Sequence, residues 1–408
     1  SLIRNNGDGT FTDVTYETGL MEHLYPTQAS VFADFNNDGW LDIYFGNETR
    51  RDTEKYPCEL FLSDGKGKFK NVAKEAGADI LCFAKGVAAS DYNNDGYMDI
   101  CISSQGTENI LLRNDTGKNS GKIKFTDVTK EAGVGLPIKS FPVAFLDFNN
   151  DGWQDLTIQT YDAENCDYDN AAEYFNKPVK GEYSILYKNN GDGTFTDITK
   201  EMNMQVAMTV MGLSFGDLDN DGWMDIYSGT GTPNYTSLVP KRMFRNNEGK
   251  SYQDITHSGG FGHLQKGHGI GFGDVDNDGD QDVYEDMGGG YEGDGFQGAF
   301  YENPGISGNN WVSLQLVGVK ANKSAMGSKV KITVENADKS TRDIYVEVTN
   351  GGSFGVNSNR LEAGLGKAVA IKAIEINWLG PNQKQIITGV PMNSFVKITE
   401  GEAAFEIL

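Results

Sequence analysis

Basic residues are scarce in this chain. Across 408 residues, 35 Lys and Arg stand against 58 Asp and Glu, for a formal charge of −23. Nucleic acid and anionic membranes are both gripped through basic surface, so this balance argues against either as a partner. Long apolar runs are missing as well: none reaches the 18 residues a membrane-spanning helix needs. The four cysteines (Cys58, Cys82, Cys101, Cys166) lack C-x₂-C spacing, which removes a zinc reading. In an oxidising compartment they allow three disulfide connectivities, while Cys101, inside the apolar "DICIS", reads equally as a buried thiol. The four histidines form no H-x-H or H-E-x-x-H, and His263 and His268 in "GHLQKGHGIG" read as loop and strand packing. No leader peptide is visible. The chain opens on "SLIRNNGDGTFTDVT" as if inside a longer one, so that absence is uninformative.

Glycine is plentiful (51), proline modest (10), and strongly helical stretches are few, which points to a turn-rich β protein. One pattern dominates it. "DFNNDGWLD", "DYNNDGYMD", "DFNNDGWQD", "DLDNDGWMD" and "DVDNDGDQD" begin at Asp34, Asp91, Asp147, Asp217 and Asp274, spaced 57, 56, 70 and 57 residues apart. The longest gap carries an insertion at 161–182. A hairpin marker keeps step: "LIRNNGDGTFTDVT", "LFLSDGKGKFKNVA", "LLRNDTGKNSGKIKFTDVT", "LYKNNGDGTFTDIT" and "MFRNNEGKSYQDIT". Each reads as strand, Asn/Gly turn, strand. One period therefore holds four strands, and four-stranded units repeated about an axis make a β-propeller. The strand before each loop is large on one face (Phe32, Ala89, Phe145, Phe215, Phe272) and small or compact five residues back (Ala29, Gly86, Pro142, Gly212, Gly269). That grain suits a strand in a crowded centre.

Within each loop the side-chain oxygens fall at positions 1, 3, 5 and 9, Gly bends the chain at position 6, and the position-7 carbonyl can turn inward. The first set is Asp34, Asn36, Asp38, Trp40 (carbonyl) and Asp42; the second is Asp91, Asn93, Asp95, Tyr97 and Asp99. The third is Asp147, Asn149, Asp151, Trp153 and Asp155; the fourth is Asp217, Asp219, Asp221, Trp223 and Asp225. The fifth is Asp274, Asp276, Asp278, Asp280 and Asp282. Alternate oxygens converging on a point wrap a hard cation that takes six to eight oxygen ligands, and the loose geometry favours Ca²⁺ over Mg²⁺. A solvated Asp/Asn/Gly turn accounts for one such copy. Five in register, each with Asp at position 9, exceed what a turn alone requires. An EF-hand is excluded, because it needs flanking helices and Glu at position 12, which only Glu285 supplies.

These D-x-[DN]-x-D-G-x-x-D loops resemble the calcium-binding FG-GAP repeats, also called VCBS repeats, of integrin-like β-propellers. With the paired hairpins, the resemblance narrows to the cartilage acidic protein family and covers residues 1–305. From 309 to 408 the grammar changes to alternating strands ("WVSLQLVG", "SKVKITVEN", "RDIYVEVT", "AIEINWL", "NSFVKITE"), a β-sandwich-like module. This stretch is similar to the ASPIC and UnbV domain, apart from Ala363 before Gly-Leu-Gly and the turn "WLGPN". The resemblance implies an extracellular or periplasmic location, about five structural Ca²⁺ sites and no established catalytic residues. It also implies seven blades where five loops are found, so two blades are expected upstream of residue 1. The alternative is a small ring in which the leading "FTDVT" strand completes the last blade.

Two G-x-S-x-G stretches, at Ser214 and Ser353, invite a nucleophile-elbow reading, but neither is followed by a helix. The reading favoured is a secreted or cell-surface scaffold for adhesion or recognition of a protein or glycan. The alternatives are a polysaccharide-acting enzyme on the same propeller and an accessory protein of a surface or biosynthetic assembly. Recognition is expected at 161–182, with Tyr161, Tyr168, Tyr174 and Phe175, and at 285–298, with Tyr291 and Phe296. The short "ENPGISGNN" connection predicts that the two modules pack together.

Overall fold

A computed structural model describes the chain apart from residues 51–53, 235–236, 290–294, 306, 350 and 381–382. The protein is all-β. A lone hairpin, β1 (Ile3–Asn5) with β2 (Phe11–Asp13), precedes four four-stranded blades. The first holds β3 (Thr27–Ala33), β4 (Asp42–Asn47), β5 (Glu59–Ser63) and β6 (Phe69–Asn71). The second holds β7 (Ala84–Ser90), β8 (Asp99–Ser104), β9 (Ile110–Asn114) and β10 (Phe125–Asp127). The third holds β11 (Ser140–Leu146), β12 (Asp155–Thr160), β13 (Ile185–Asn189) and β14 (Phe195–Asp197). The fourth holds β15 (Val210–Gly216), β16 (Asp225–Thr230), β17 (Arg242–Asn246) and β18 (Tyr252–Asp254). Strands pair antiparallel in chain order within each blade. Each carboxylate loop joins the first strand to the second, and each hairpin supplies the third and fourth.

The fifth blade has three strands in chain order, β19 (Gly267–Gly273), β20 (Asp282–Met287) and β21 (Ala299–Tyr301). The leading hairpin does not complete it: among the described residues β1 and β2 pair only with each other, which corrects the small-ring alternative. Successive first strands neighbour one another from β3 through β7, β11 and β15 to β19, so these are the inner strands. Each breaks register near its small residue, as between Val210 and Gly212 in β15. A Cβ on Gly212 would lie 1.5 Å from the carbonyl oxygen of His268 on the next inner strand. The compact residues therefore allow inner backbones to meet. The "D-x-T" ending of the hairpins is a latch. Asp127 accepts the Thr129 N–H (3.0 Å) and hydroxyl (2.6 Å), while Thr129 Oγ1 accepts the Leu111 N–H (2.9 Å).

The remaining strands build the C-terminal module: β22 (Asn310–Val317), β23 (Lys329–Glu335), β24 (Thr341–Glu347), β25 (Gly355–Asn357) and β26 (Leu361–Gly366), followed by β27 (Ala370–Asn377), β28 (Lys384–Ile387), β29 (Phe395–Thr399) and β30 (Phe405–Ile407). Two sheets, ordered β26-β22-β29-β30 and β24-β23-β27-β28, close on one core that includes Leu314, Ile332, Ile374, Trp378 and Ile398. β25 belongs to neither sheet. It pairs in parallel with β19 as an innermost strand of the fifth blade. Around it, residues 351–358 enter the space between the inner strands. Ser353 donates its N–H to the Val143 carbonyl (3.0 Å) and its hydroxyl to Val87 (3.1 Å). Asn357 Nδ2 donates to the Phe215 carbonyl (3.0 Å). These bonds satisfy inward-facing carbonyls that an inner strand otherwise leaves unpaired. The two modules pack as one body.

Candidate metal centres

The first Asp of every loop is buried and accepts two backbone N–H groups of its own turn. Asp34 takes those of Asp38 (3.1 Å) and Gly39 (2.8 Å), and Asp217 those of Asp221 (3.0 Å) and Gly222 (2.7 Å). The equivalent bonds recur at Asp91, Asp147 and Asp274. The ninth residue is buried too, and one carboxylate ties two segments. Asp99 accepts from Tyr92 in its loop (3.3 Å) and from Asn114 at the end of the third strand (2.7 Å). Asp42, Asp155, Asp225 and Asp282 do the same. Position 9 thus has backbone work of its own: a turn alone does not require Asp there, but the tie to the third strand uses it without a cation.

Positions 3 and 5 lie nearer solvent. Asn36 and Asn149 donate to Asp38 (2.9 Å) and Asp151 (2.8 Å), and each position-5 carboxylate caps the N–H of position 7, as Asp95 does for Tyr97 (3.1 Å). Carboxylate oxygens of Asp217, Asp219 and Asp225, and of Asp274, Asp276 and Asp278, converge within 4.8 Å of one another. Loops one to three carry Asn36, Asn93 and Asn149 at position 3, so they assemble fewer carboxylates around the same turn. Asp280 turns its side chain to Asn220 (2.6 Å), leaving only its carbonyl as a donor to its own loop. Glu285 is turned away from the loop: it faces the preceding blade, accepting from Tyr227 (2.9 Å) beside the buried Lys241 ammonium (3.6 Å).

Burial of so many acids has an electrostatic cost. Burial pushes Asp34 up to about 6, Asp147 to about 7 and Asp42 to about 8. Asp99, Asp155, Asp217 and Asp225 are held well above the usual carboxylate range, by burial first and neighbouring carboxylates second. A polyvalent cation would reverse that bias. The donor set fits one. It is all oxygen, and Asp219 Oδ1 is buried with no hydrogen-bond partner. Arg245 competes in the fourth loop, its guanidinium bridging Asp219 and Asp221.

The C-terminal module covers this end of the propeller. Arg342 donates to the Asp221 carbonyl (2.8 Å), Arg360 to that of Asp274 (3.0 Å), and Lys329 to that of Asp91. Gly39, at φ +89°, leaves room for the Lys320 carbonyl, which a Cβ there would meet at 2.9 Å. Glu347 accepts from Ser90 (3.0 Å), and Glu362 from the Asp274 N–H (3.2 Å) and Gln281 (2.8 Å). Sequence reasoning missed Lys329, Arg342, Glu347, Arg360 and Glu362, since none of them falls in a repeat.

By strand direction, residues 161–182 and the described parts of 285–298 lie at the opposite end of the blades, which no other described element covers. Residues 161–182 include the helix Cys166–Tyr174 and expose Tyr174, Phe175 and Tyr168, the last beneath the Lys180 ammonium at 3.9 Å. In 285–298, Phe296 meets the His263 ring, while residues 290–294, Tyr291 included, lie outside the described residues. Neither serine of the G-x-S-x-G stretches is poised for attack. The Ser214 hydroxyl is bonded to Asn357 (2.6 Å), and that of Ser353 to backbone carbonyls. The cysteines are all free and buried.

Comparison with known proteins bears on the same two modules. The FG-GAP-like repeat family matches residues 1–45, 91–158 and 179–228, and the ASPIC and UnbV family matches 318–405. Cartilage acidic protein 1 of Homo sapiens is 28% identical over 243 residues, covering 58% of this chain and 32% of that protein. The Mus musculus protein is 27% identical over 246 residues, covering 59% and 33%. The chain thus spans about a third of the length of these relatives. Among solved structures, the V. cholerae biofilm matrix protein Bap1 aligns over 90% of this chain and 66% of its own, at 13% identity and a TM-score of 0.30. A score that low carries no argument.

Proposed function

We propose, for a chain that carries FG-GAP-like repeats followed by an ASPIC and UnbV domain, a secreted or surface-held scaffold with structural Ca²⁺ in its five loops. Its uncovered end recognises a protein or glycan. The observation behind this reading is the division of labour between the two ends. One end gathers seventeen loop aspartates beside the C-terminal module, twelve of them buried or half-buried. The other presents exposed aromatics outside the repeat, Tyr168 and Tyr174 on a helix and Phe175 at its C-terminal cap. Aromatic rings beside acids and amides suit a sugar face or a protein surface. Extracellular calcium modules work with weak sites, which half-exposed ligands such as Asn36 and Asp38 would make. An all-oxygen set at millimolar calcium matches that supply.

The test is a Tyr174→Ser, Phe175→Ser double variant screened on a glycan array and a panel of extracellular matrix proteins. Loss of a wild-type signal with an unchanged melting curve supports the reading. A retained signal places recognition elsewhere on the molecule.

A further inference from the structure

Position 4 is asparagine in all five loops: Asn37, Asn94, Asn150, Asn220 and Asn277. All five are left-handed, with φ between 53° and 62°. A tight turn explains an asparagine there, yet the side chains do more than turn. Asn37 Nδ2 donates to the Gly96 carbonyl of the second loop (2.9 Å), and Asn94 to Gly152 of the third (3.2 Å). Asn150 donates to Gly222 of the fourth (2.7 Å), and Asn220 to Gly279 of the fifth (3.0 Å). Each of the first four loops therefore holds the position-6 carbonyl of the loop after it.

That carbonyl belongs to the same planar peptide as the position-7 N–H, which its own position-5 carboxylate caps. Asp151 and Asp221 cap Trp153 and Trp223, both at 3.0 Å. Drawing a position-5 carboxylate onto a cation would thus pull on a peptide that the preceding loop grips. A second set of bonds runs the other way. Asn114, Asn189, Asn246 and Asn303 each donate to the position-2 carbonyl of the preceding loop, at 2.7–2.8 Å. Their own N–H groups bond the position-9 carboxylates. The position-4 side chains also reach the C-terminal module. Asn150 Oδ1 accepts the Tyr345 N–H (2.9 Å), Asn277 Oδ1 accepts from Arg360 (2.8 Å), and Asn94 Oδ1 accepts from Lys329.

From this we infer that the five loops and the seated C-terminal module form one coupled unit, wired through the position-4 asparagines. A cation in one loop favours occupancy of its neighbours and holds the module down. This rests on the calcium reading above. Coupling of this kind is reciprocal: whatever factor calcium adds to docking, docking adds to calcium affinity. The asparagines themselves coordinate nothing in this arrangement, so they can be altered without removing a ligand.

The experiment is calcium titration of the full chain by calorimetry, with small-angle scattering at each step. Wild type should bind with a Hill coefficient above 1, and chelation should expand the particle. Asn150→Gly keeps the left-handed turn but cuts both links. It should flatten the isotherm and raise the calcium needed for the compact form by roughly five- to a hundredfold, the usual span of coupled sites. As a second measurement, calcium added to Asn150→Gly should protect residues 217–225 from hydrogen exchange less than in wild type. Calcium binding with independent sites, alike in wild type and variant, would overturn the coupling and leave the calcium reading standing. No response to calcium in heat, scattering or hydrogen exchange would overturn both.

Discussion

At position 9 a single carboxylate accepts N–H groups from its own loop and from the third strand of its blade, so removing one oxygen orphans a buried donor. Asp99→Asn presents an amide NH₂ to one of the N–H groups of Tyr92 and Asn114. The expected cost is about 1–3 kcal/mol, the penalty for a buried unsatisfied group, and it should persist in chelator. Asp38, by contrast, is exposed and caps only its own turn. Asp38→Ala should matter in calcium and be nearly silent without it. Denaturant melts of both variants, with calcium and with chelator, separate the two roles, and an Asp99→Asn cost that disappears in chelator would contradict the geometry. Arg245 offers a converse case. Its guanidinium is a partly exposed competitor at the fourth loop, worth up to about 1 kcal/mol. Arg245→Ala should therefore tighten calcium there by no more than about fivefold, as read by calorimetry.

At the scale of elements, the blade was legible because a fixed period repeats the same strands, turn chemistry and acids five times. The hairpins, the loop positions and the change of grammar near 309 all follow from local pattern. What stayed hidden was long-range. "GGSFG" looked like a failed nucleophile elbow, yet Ser353 and its neighbours pass between the inner strands, because their carbonyls needed donors. The position-4 asparagines recur five times, but a left-handed turn is reason enough for asparagine, and nothing local shows that four of them reach into the next loop. Lys329, Arg342, Glu347 and Arg360 carry no motif at all. Glu347 makes this junction testable. It is buried, and burial pushes its carboxyl up to about 7 from an ordinary 4.5. A raised carboxyl adds stability that is complete below about 4.5 and lost as pH rises through about 7. Glu347→Gln mimics the protonated form. It should flatten that pH dependence and stabilise the protein at pH 8 by about 3 kcal/mol, an upper figure from the size of the shift. Melts of both forms from pH 5 to 8 give the answer, and parallel profiles would remove Glu347 from the account.

For the whole molecule, the governing quantity is charge. Five divalent cations would move the formal charge from −23 to −13, and they would do so where the carboxylates crowd most closely. A cation bound only by the folded state adds about 2.7 kcal/mol per site at a hundred times its dissociation constant. Five sites give at most about 13 kcal/mol by the same relation, as much as the entire stability of a typical domain. Chelator should therefore lower the melting temperature of the full chain markedly, and Asp221→Ala should remove about one site's share. The loss should be uneven. The C-terminal sheets close on their own apolar core around Ile332, Ile374 and Trp378, with no carboxylate loop inside it. Hydrogen exchange in β23 and β27 should stay slow at a chelator concentration that already opens the inner strands β7, β11 and β15. Simultaneous opening of both would make the core dependent on docking, and a melting curve indifferent to calcium and chelator alike would sink the structural role of the cation.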